Sequence, residues 1–209
     1  MATSDNLAFK LRDPNRILLT LPLLRQKIIS KKISPKSDNI ELQLTGSQTC
    51  NLHCWYCSTR RWGSGKNKTQ SFFPPKNLKK LKIFQPKAII LSGGEPTLYQ
   101  PTKSFGFNQA ILTMAKIIPG VKFGLITNGT IFPSGSWTKH CQWLRISLDA
   151  GSSKTYLKLK GANLFDTVLK NFKNYLKSDI PYVGLGYVYQ KDNIDEIFDF
   201  LKYIYSTLS

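Results

Sequence analysis

Carboxylates are scarce in this 209-residue chain, where 12 aspartates and glutamates face 30 lysines and arginines for a formal charge of +18. Between Leu42 and Phe165 the only acids are Glu95 and Asp149. Histidine is rarer still. His53 and His140 are too few and too far apart for a hydrolytic triad, and neither a Gly-x-Ser-x-Gly elbow nor a Walker loop occurs. Long apolar runs are missing as well: the stretch from Ile17 to Ile29 is broken by Pro22, Arg25 and Lys27, far short of a membrane span. Met1 to Asp5 are polar and include an acid, unlike a secretory leader, so no membrane partner is expected. With its thiols clustered, the chain is expected in a reducing, cytoplasmic compartment.

What is present is a globular composition, 41% hydrophobic and 12% aromatic, long enough to bury a core. The basic excess concentrates between Arg60 and Lys87, which hold nine bases and no acid. Such charge suits an anionic partner, either nucleic acid or a phosphorylated substrate. A solvated, lysine-rich surface accounts for it equally well. No RNP1 motif or paired zinc finger decides between them.

Three of the four cysteines fall within eight residues, Cys50-Asn51-Leu52-His53-Cys54-Trp55-Tyr56-Cys57, and the fourth is Cys141. Three thiolates so close cannot all pair with one another, but they can converge on one inorganic centre. A four-iron cluster normally takes four thiolates, so three leave one iron open for chemistry. The spacing also permits tetrahedral zinc with His53 as a ligand. On the motif alone both remain open.

Residues 1–39 read as an N-terminal extension, with a short helix over Leu18 to Ile29 and a linker at Ser34 to Asp38. Strand–helix alternation then fills 40–209. Strands are expected at Ile40 to Leu44, Ala88 to Ser92, Lys122 to Ile126, Trp143 to Leu148 and Tyr182 to Tyr189. Helices are expected at Lys76 to Phe84, Phe107 to Ile118, Leu164 to Leu176 and Ile194 to Ile204, with a mobile excursion at Arg60 to Thr69. Such alternation implies a parallel sheet with helices outside, and its working residues belong at the carboxyl ends of the strands. The cysteine loop, Gly93-Gly94-Glu95-Pro96, Thr127-Asn128-Gly129-Thr130 and Ser147-Leu148-Asp149 all map to that rim.

Each motif has a plain structural alternative. Gly93 and Gly94 let backbone approach a ligand, or make a βα turn before Pro96. Asn128-Gly129 is explained fully by a turn. Ser147 and Asp149 share one side of a strand by pleat alternation. Asp149 either caps a turn at Gly151-Ser152 or holds ribose hydroxyls. Cys141 reads as a small buried residue.

Taken together, these residues resemble the radical S-adenosylmethionine (radical SAM) enzymes. The Cys-x3-Cys-x2-Cys motif with an aromatic before the last cysteine, Ser-Gly-Gly-Glu-Pro-Thr, Thr-Asn-Gly-Thr and Arg145-Ile146-Ser147-Leu148-Asp149-Ala150 occur in the family's order. Gln190 to Glu196 is similar to the branch of molybdenum-cofactor biosynthesis protein A and of peptide-maturing enzymes. The resemblance implies a partial parallel (βα) barrel of five to six strand–helix units. It implies one [4Fe–4S] cluster on Cys50, Cys54 and Cys57, cleavage of S-adenosylmethionine to a 5′-deoxyadenosyl radical, and hydrogen abstraction from a substrate it does not name; the basic surface permits an RNA, a nucleotide or a peptide without choosing. Flavodoxin or ferredoxin would supply the electron. By position, Gly93, Gly94 and Glu95 would meet the methionine ammonium, and Ser147 and Asp149 the carboxylate and ribose. Tyr56, Gly186 and Tyr187 would face adenine, with Asn128 a further contact. Only five units are counted, so the chain reads as a fragment, a shortened barrel or one closed by a partner. An iron–sulfur or RNA-binding protein that kept the fold without turnover is the alternative.

Overall fold

Five short apolar runs become five strands in a computed structural model that describes residues 37–57 and 70–208. The expected extension up to residue 36, its helix and the whole Arg60 to Thr69 excursion lie outside the described residues. The strands are β1 (Asn39–Thr45), β2 (Ala88–Gly93), β3 (Lys122–Thr127), β4 (Cys141–Ser147) and β5 (Tyr182–Gly186). All neighbours are parallel and the sheet order equals the chain order. Each return to the next parallel strand therefore needs a crossover, which puts helices on the outside. These are α1 (Phe107–Ile117), α2 (Ser153–Lys160), α3 (Phe165–Leu176) and α4 (Ile197–Leu208). Among the described residues no helix is long and apolar enough to cross a membrane.

Pleat alternation divides the sheet. Leu42, Leu44, Ile89, Leu91, Phe123, Leu125, Leu144 and Ile146 point toward the helices, none more than 6% exposed. They share a core with Ile111 and Met114 of α1 and Val168 and Phe172 of α3. Burying one leucine-sized side chain contributes about 1.5–3 kcal/mol, so this face holds the domain together. Cys141 is the first residue of β4 and is buried there, its thiol donating to the Trp143 carbonyl at 3.1 Å.

Several expected elements are revised. The sequence pattern assigns no helix between β4 and Leu164, yet Ser152 caps one, α2, by accepting the Thr155 N–H at 3.2 Å. Eight residues, with exposed Leu157 beside buried Tyr156, are too short to show a helical period. Lys76 to Phe84 lies within a 3-10 segment, Pro75–Phe84, rather than an α-helix. β4 stops at Ser147, not Leu148. β5 stops at Gly186, not Tyr189, because the Val188 N–H turns away to donate to Asp149 Oδ1 at 2.7 Å. The last helix is preceded by a 3-10 turn, Ile194–Glu196.

Candidate active site

The cysteine loop leaves β1 at Thr45 and is fixed from both flanks. On one side, the Thr49 carbonyl accepts the Glu95 N–H at 2.8 Å. On the other, the N–H groups of His53 and Trp55 donate to the carbonyls of Lys160 and Leu159 at 2.8 and 3.3 Å. These are the last carbonyls of α2, which have no partner within their own helix. The loop thus caps α2 while α2 holds the loop. Leu52, 5% exposed, anchors it to the interior.

Cys50, Cys54 and Cys57 are thiols outside any disulfide and of intermediate exposure. Cys50 Sγ faces two donors, the Leu52 N–H at 3.5 Å and Asn128 Nδ2 at 3.8 Å. Burial pushes the Cys50 and Cys54 thiols up, and for Cys54 the Lys160 ammonium pulls the other way. Asn128 Nδ2 also donates to Asn51 Oδ1 at 2.9 Å, and Asn51 donates to Thr130 Oγ1 at 2.8 Å. Asn128 is therefore both a turn residue and a contact to the loop.

Gly93 and Gly94 serve packing first. A Cβ on Gly93, whose φ is +134°, would fall 2.3 Å from the Thr45 carbonyl oxygen, and one on Gly94 would fall 2.5 Å from that of Thr49. The absent side chains admit the base of the cysteine loop. Glu95 is 1% exposed, and its carboxylate accepts from Thr97 N and Oγ1, Thr127 Oγ1 and the Asn128 N–H at 3.0, 2.6, 2.7 and 2.7 Å. Burial raises its pKa against these four donors. The carboxylate ties the exit of β2 to that of β3, with one Oε2 lone pair to spare.

Asp149 lies beyond the end of β4 with φ +58°, so the pleat no longer relates it to Ser147. It is 2% exposed, whereas Ser147 is partly exposed. Asp149 Oδ2 accepts Tyr56 OH at 2.7 Å and Lys160 Nζ at 2.5 Å, and Oδ1 accepts the Val188 N–H. It faces inward and organises the rim. Tyr56 is placed beside it, with Lys160 Nζ 5.4 Å from the ring centre. Tyr187 turns toward α4 instead: its hydroxyl donates to the Asn193 carbonyl at 2.6 Å and its ring centre is 4.6 Å from that of Phe200. The Gly186 carbonyl accepts the N–H groups of Leu148 and Asp149 at 3.2 and 3.3 Å.

Three site residues escape the sequence reading. Lys160, 2% exposed, and Tyr156, fully buried, lie one helical turn apart on the inner side of α2. Asn193, 1% exposed, donates to the carbonyls of Asp149 and Val188 at 2.8 and 2.9 Å, fixing the left-handed turn. The Tyr156 hydroxyl finds no hydrogen-bond partner among the described residues. Burial raises its pKa most, and Cys54, Asp149, Cys50 and Glu95 each add to that. Tyr156 and Lys160 carry one signal, a lysine four residues after a tyrosine, which is legible only once α2 is recognised. Among the described residues no three His, Cys, Asp or Glu side chains gather tightly enough to hold a single metal ion.

The radical SAM superfamily profile matches residues 44–204. The chain belongs to the radical SAM superfamily. Curated relatives of this radical SAM chain include a probable GTP 3′,8-cyclase of Saccharolobus islandicus, 24% identical over 175 residues, 78% of this chain and 52% of the relative. Another from Pyrococcus horikoshii is 29% identical over 175 residues, 79% and 51% of the two chains. The chain spans about half the length of the curated relatives it matches. Among solved structures, native anSMEcpe with bound AdoMet gives a TM-score of 0.62 at 19% identity over 80% of this chain and 48% of that one. TYW1 with a lysine–pyruvate adduct bound gives 0.55 at 19% identity over 90% and 70%. At such identities the likeness is one of fold, the radical SAM partial barrel.

Proposed function

We propose that this chain is the core of a radical SAM enzyme, over residues 40–209, in which Cys50, Cys54 and Cys57 hold one [4Fe–4S] cluster that reductively cleaves S-adenosylmethionine. The observation that carries the reading is the clasped cysteine loop: three half-buried thiols on eight residues, fixed by Glu95 N–H on one flank and the end of α2 on the other. The donor set fits the group. It is all sulfur, and the charges of Cys54 and Cys50 reach the buried Tyr156 hydroxyl, which has no partner among the described residues.

When bound, the cluster would pass one electron to the sulfonium of S-adenosylmethionine, releasing methionine and a 5′-deoxyadenosyl radical that takes a hydrogen atom from substrate. The chain's own residues bind and orient. Each thiol must lose its proton to ligate, against the upward push of burial on Cys50 and Cys54; the Lys160 ammonium favours that loss at Cys54. The Leu52 N–H and the Asn128 side-chain amide then stabilise the charge on Cys50. Gly93 and Gly94 bring backbone to the loop, where their carbonyls and the spare lone pair of Glu95 suit an ammonium group. Ser147, partly exposed at the rim, suits a carboxylate, and Asp149 holds Tyr56 and Lys160 in place for the ribose and adenine side. An external one-electron donor, such as flavodoxin or ferredoxin, and a reducing cytoplasm complete the requirements. The relatives' name, probable GTP 3′,8-cyclase, makes a nucleotide the first substrate to try, ahead of an RNA or a peptide.

The test is anaerobic reconstitution with iron and sulfide, dithionite reduction and assay for 5′-deoxyadenosine. The expected result is a brown protein that releases 5′-deoxyadenosine, with iron and release both lost in Cys54→Ala. A colourless, zinc-holding chain, or full iron and sulfide in Cys54→Ala, would sink the assignment.

A further inference from the structure

Parallel strands covered on both faces read as unbroken apolar runs. On β4 only the helix-facing side is continuously apolar. Trp143, Arg145 and Ser147 alternate with buried Leu144 and Ile146, so they project from the opposite face of the sheet. Register sets Trp143 beside Gly124 and Arg145 beside Gly184. A Cβ on Gly124 would fall 2.3 Å from Trp143 Cε2, so the indole lies across β3 as an apolar floor. A Cβ on Gly186 would fall 3.3 Å from Arg145 Cδ, so the Arg145 stem runs from that floor toward the rim. No heavy atom lies within 4 Å of a Cβ built on Gly184, which leaves open space beside the guanidinium.

Arg145 is exposed and makes no hydrogen bond or ion pair among the described residues. Glu41, the carboxylate on this same face, accepts from Ser92 Oγ at 2.7 Å and stands on β1. Three strand spacings of about 4.8 Å separate β1 from β4, beyond ion-pair reach. An arginine carries five donors in a planar fork that matches an oxyanion. One set on a central strand, bare, above an apolar floor and below the cysteine rim, is placed for a ligand.

We propose that Arg145, on this face of the sheet, receives an oxyanion group, phosphate or carboxylate, of a small substrate. Its role in turnover rests on the radical SAM reading above; the binding itself does not. Arg145 is a substrate-binding residue that carries the substrate's charged end, so that the rest of the molecule extends toward the cysteine loop.

Phenylglyoxal footprinting of the full chain, followed by peptide mass spectrometry, tests this with inorganic pyrophosphate and with benzoate as probes. It is run before and after anaerobic reconstitution, with S-adenosylmethionine present. Arg145 is expected to react in the free chain and to be protected at least tenfold by one probe. Protection by pyrophosphate assigns a phosphate, and protection by benzoate a carboxylate. Equilibrium dialysis with the protecting probe should show at least tenfold weaker binding for Arg145→Met and a smaller loss for Arg145→Lys, with unchanged near-ultraviolet circular dichroism. An unreactive Arg145, no protection by either probe, or parental binding in Arg145→Met overturns the proposal. A chain that takes up no iron while Arg145 is still protected would refute the cluster reading and leave this site standing.

Discussion

Lys160 Nζ lies 2.5 Å from Asp149 Oδ2, with both side chains 3% exposed, and the pair joins α2 to the exit of β4. Tyr56 OH shares the same carboxylate oxygen, so the cysteine loop is bound into the pair as well. Asp149 Oδ1 adds the β5 exit through the Val188 N–H. One buried carboxylate thereby fixes three segments that the sequence spaces far apart.

Removing one member of that pair leaves the other buried and alone. Lys160→Met is expected to cost about 3–5 kcal/mol of unfolding free energy, and Asp149→Asn a similar amount. The double variant should cost clearly less than their sum, because no uncompensated charge remains. Urea unfolding of the four proteins in a double-mutant cycle measures this; simple additivity would mean the pair is not coupled.

The strands were legible because each is an apolar run or an apolar–polar alternation closed by Gly, Asn-Gly or Asp, and those closures are also the proposed site. What sequence could not show is the inward turn of Asp149, since its left-handed backbone depends on Asn193, 44 residues later. Nor could it show α2, whose helix-forming stability comes from Glu196 at its start and the cysteine loop at its end rather than from a periodic stripe. The glycines illustrate a subtler limit. Their need was visible, but that they yield to Thr45 and Thr49 is a property of packing.

Glu196 accepts from Gly151 N–H, Ser152 Oγ and Thr155 Oγ1 at 2.8, 2.7 and 2.6 Å at the amino end of α2. Burial pushes its pKa up, but the donors together outweigh that and hold it below the ordinary carboxylate range. A lowered carboxylate stabilises the fold above its unfolded pKa and loses that contribution as pH falls through the folded value. Glu196→Gln should cost about 1 kcal/mol at neutral pH and flatten the loss of stability below pH of about 4.5. Thermal melts across pH 3–7 check both; an unchanged acid limb would remove Glu196 from this role.

Gly94→Ala would set a methyl 2.5 Å from the Thr49 oxygen and 2.6 Å from that of Gly46, both backbone atoms with little room to yield. We expect a loss of about 3 kcal/mol or more, at the upper end of overpacking. The damage should fall on the loop, so iron retained after reconstitution should drop further than global stability does. Gly120→Ala is the control, since no atom lies within 4 Å of its Cβ and only its positive φ resists. Gly94→Ala with parental iron content would show that the loop tolerates displacement.

Tyr156→Phe separates structure from chemistry by sign. In the metal-free chain the phenol is fully buried with no partner for its hydroxyl among the described residues. Removing a polar group so placed relieves a desolvation cost of about 1–3 kcal/mol, so the variant should melt at or above the parent's temperature. In the reconstituted protein a hydroxyl donating toward sulfur favours the reduced, more negative cluster, and hydrogen bonds to the sulfurs are among the factors that set cluster potentials. There the same substitution should lower the midpoint potential in a redox titration followed by electron paramagnetic resonance. A residue that only filled space would move stability and leave the potential alone. Opposite signs in the two states would place the hydroxyl on the cluster; a lower melting temperature with an unchanged potential would assign Tyr156 to the core.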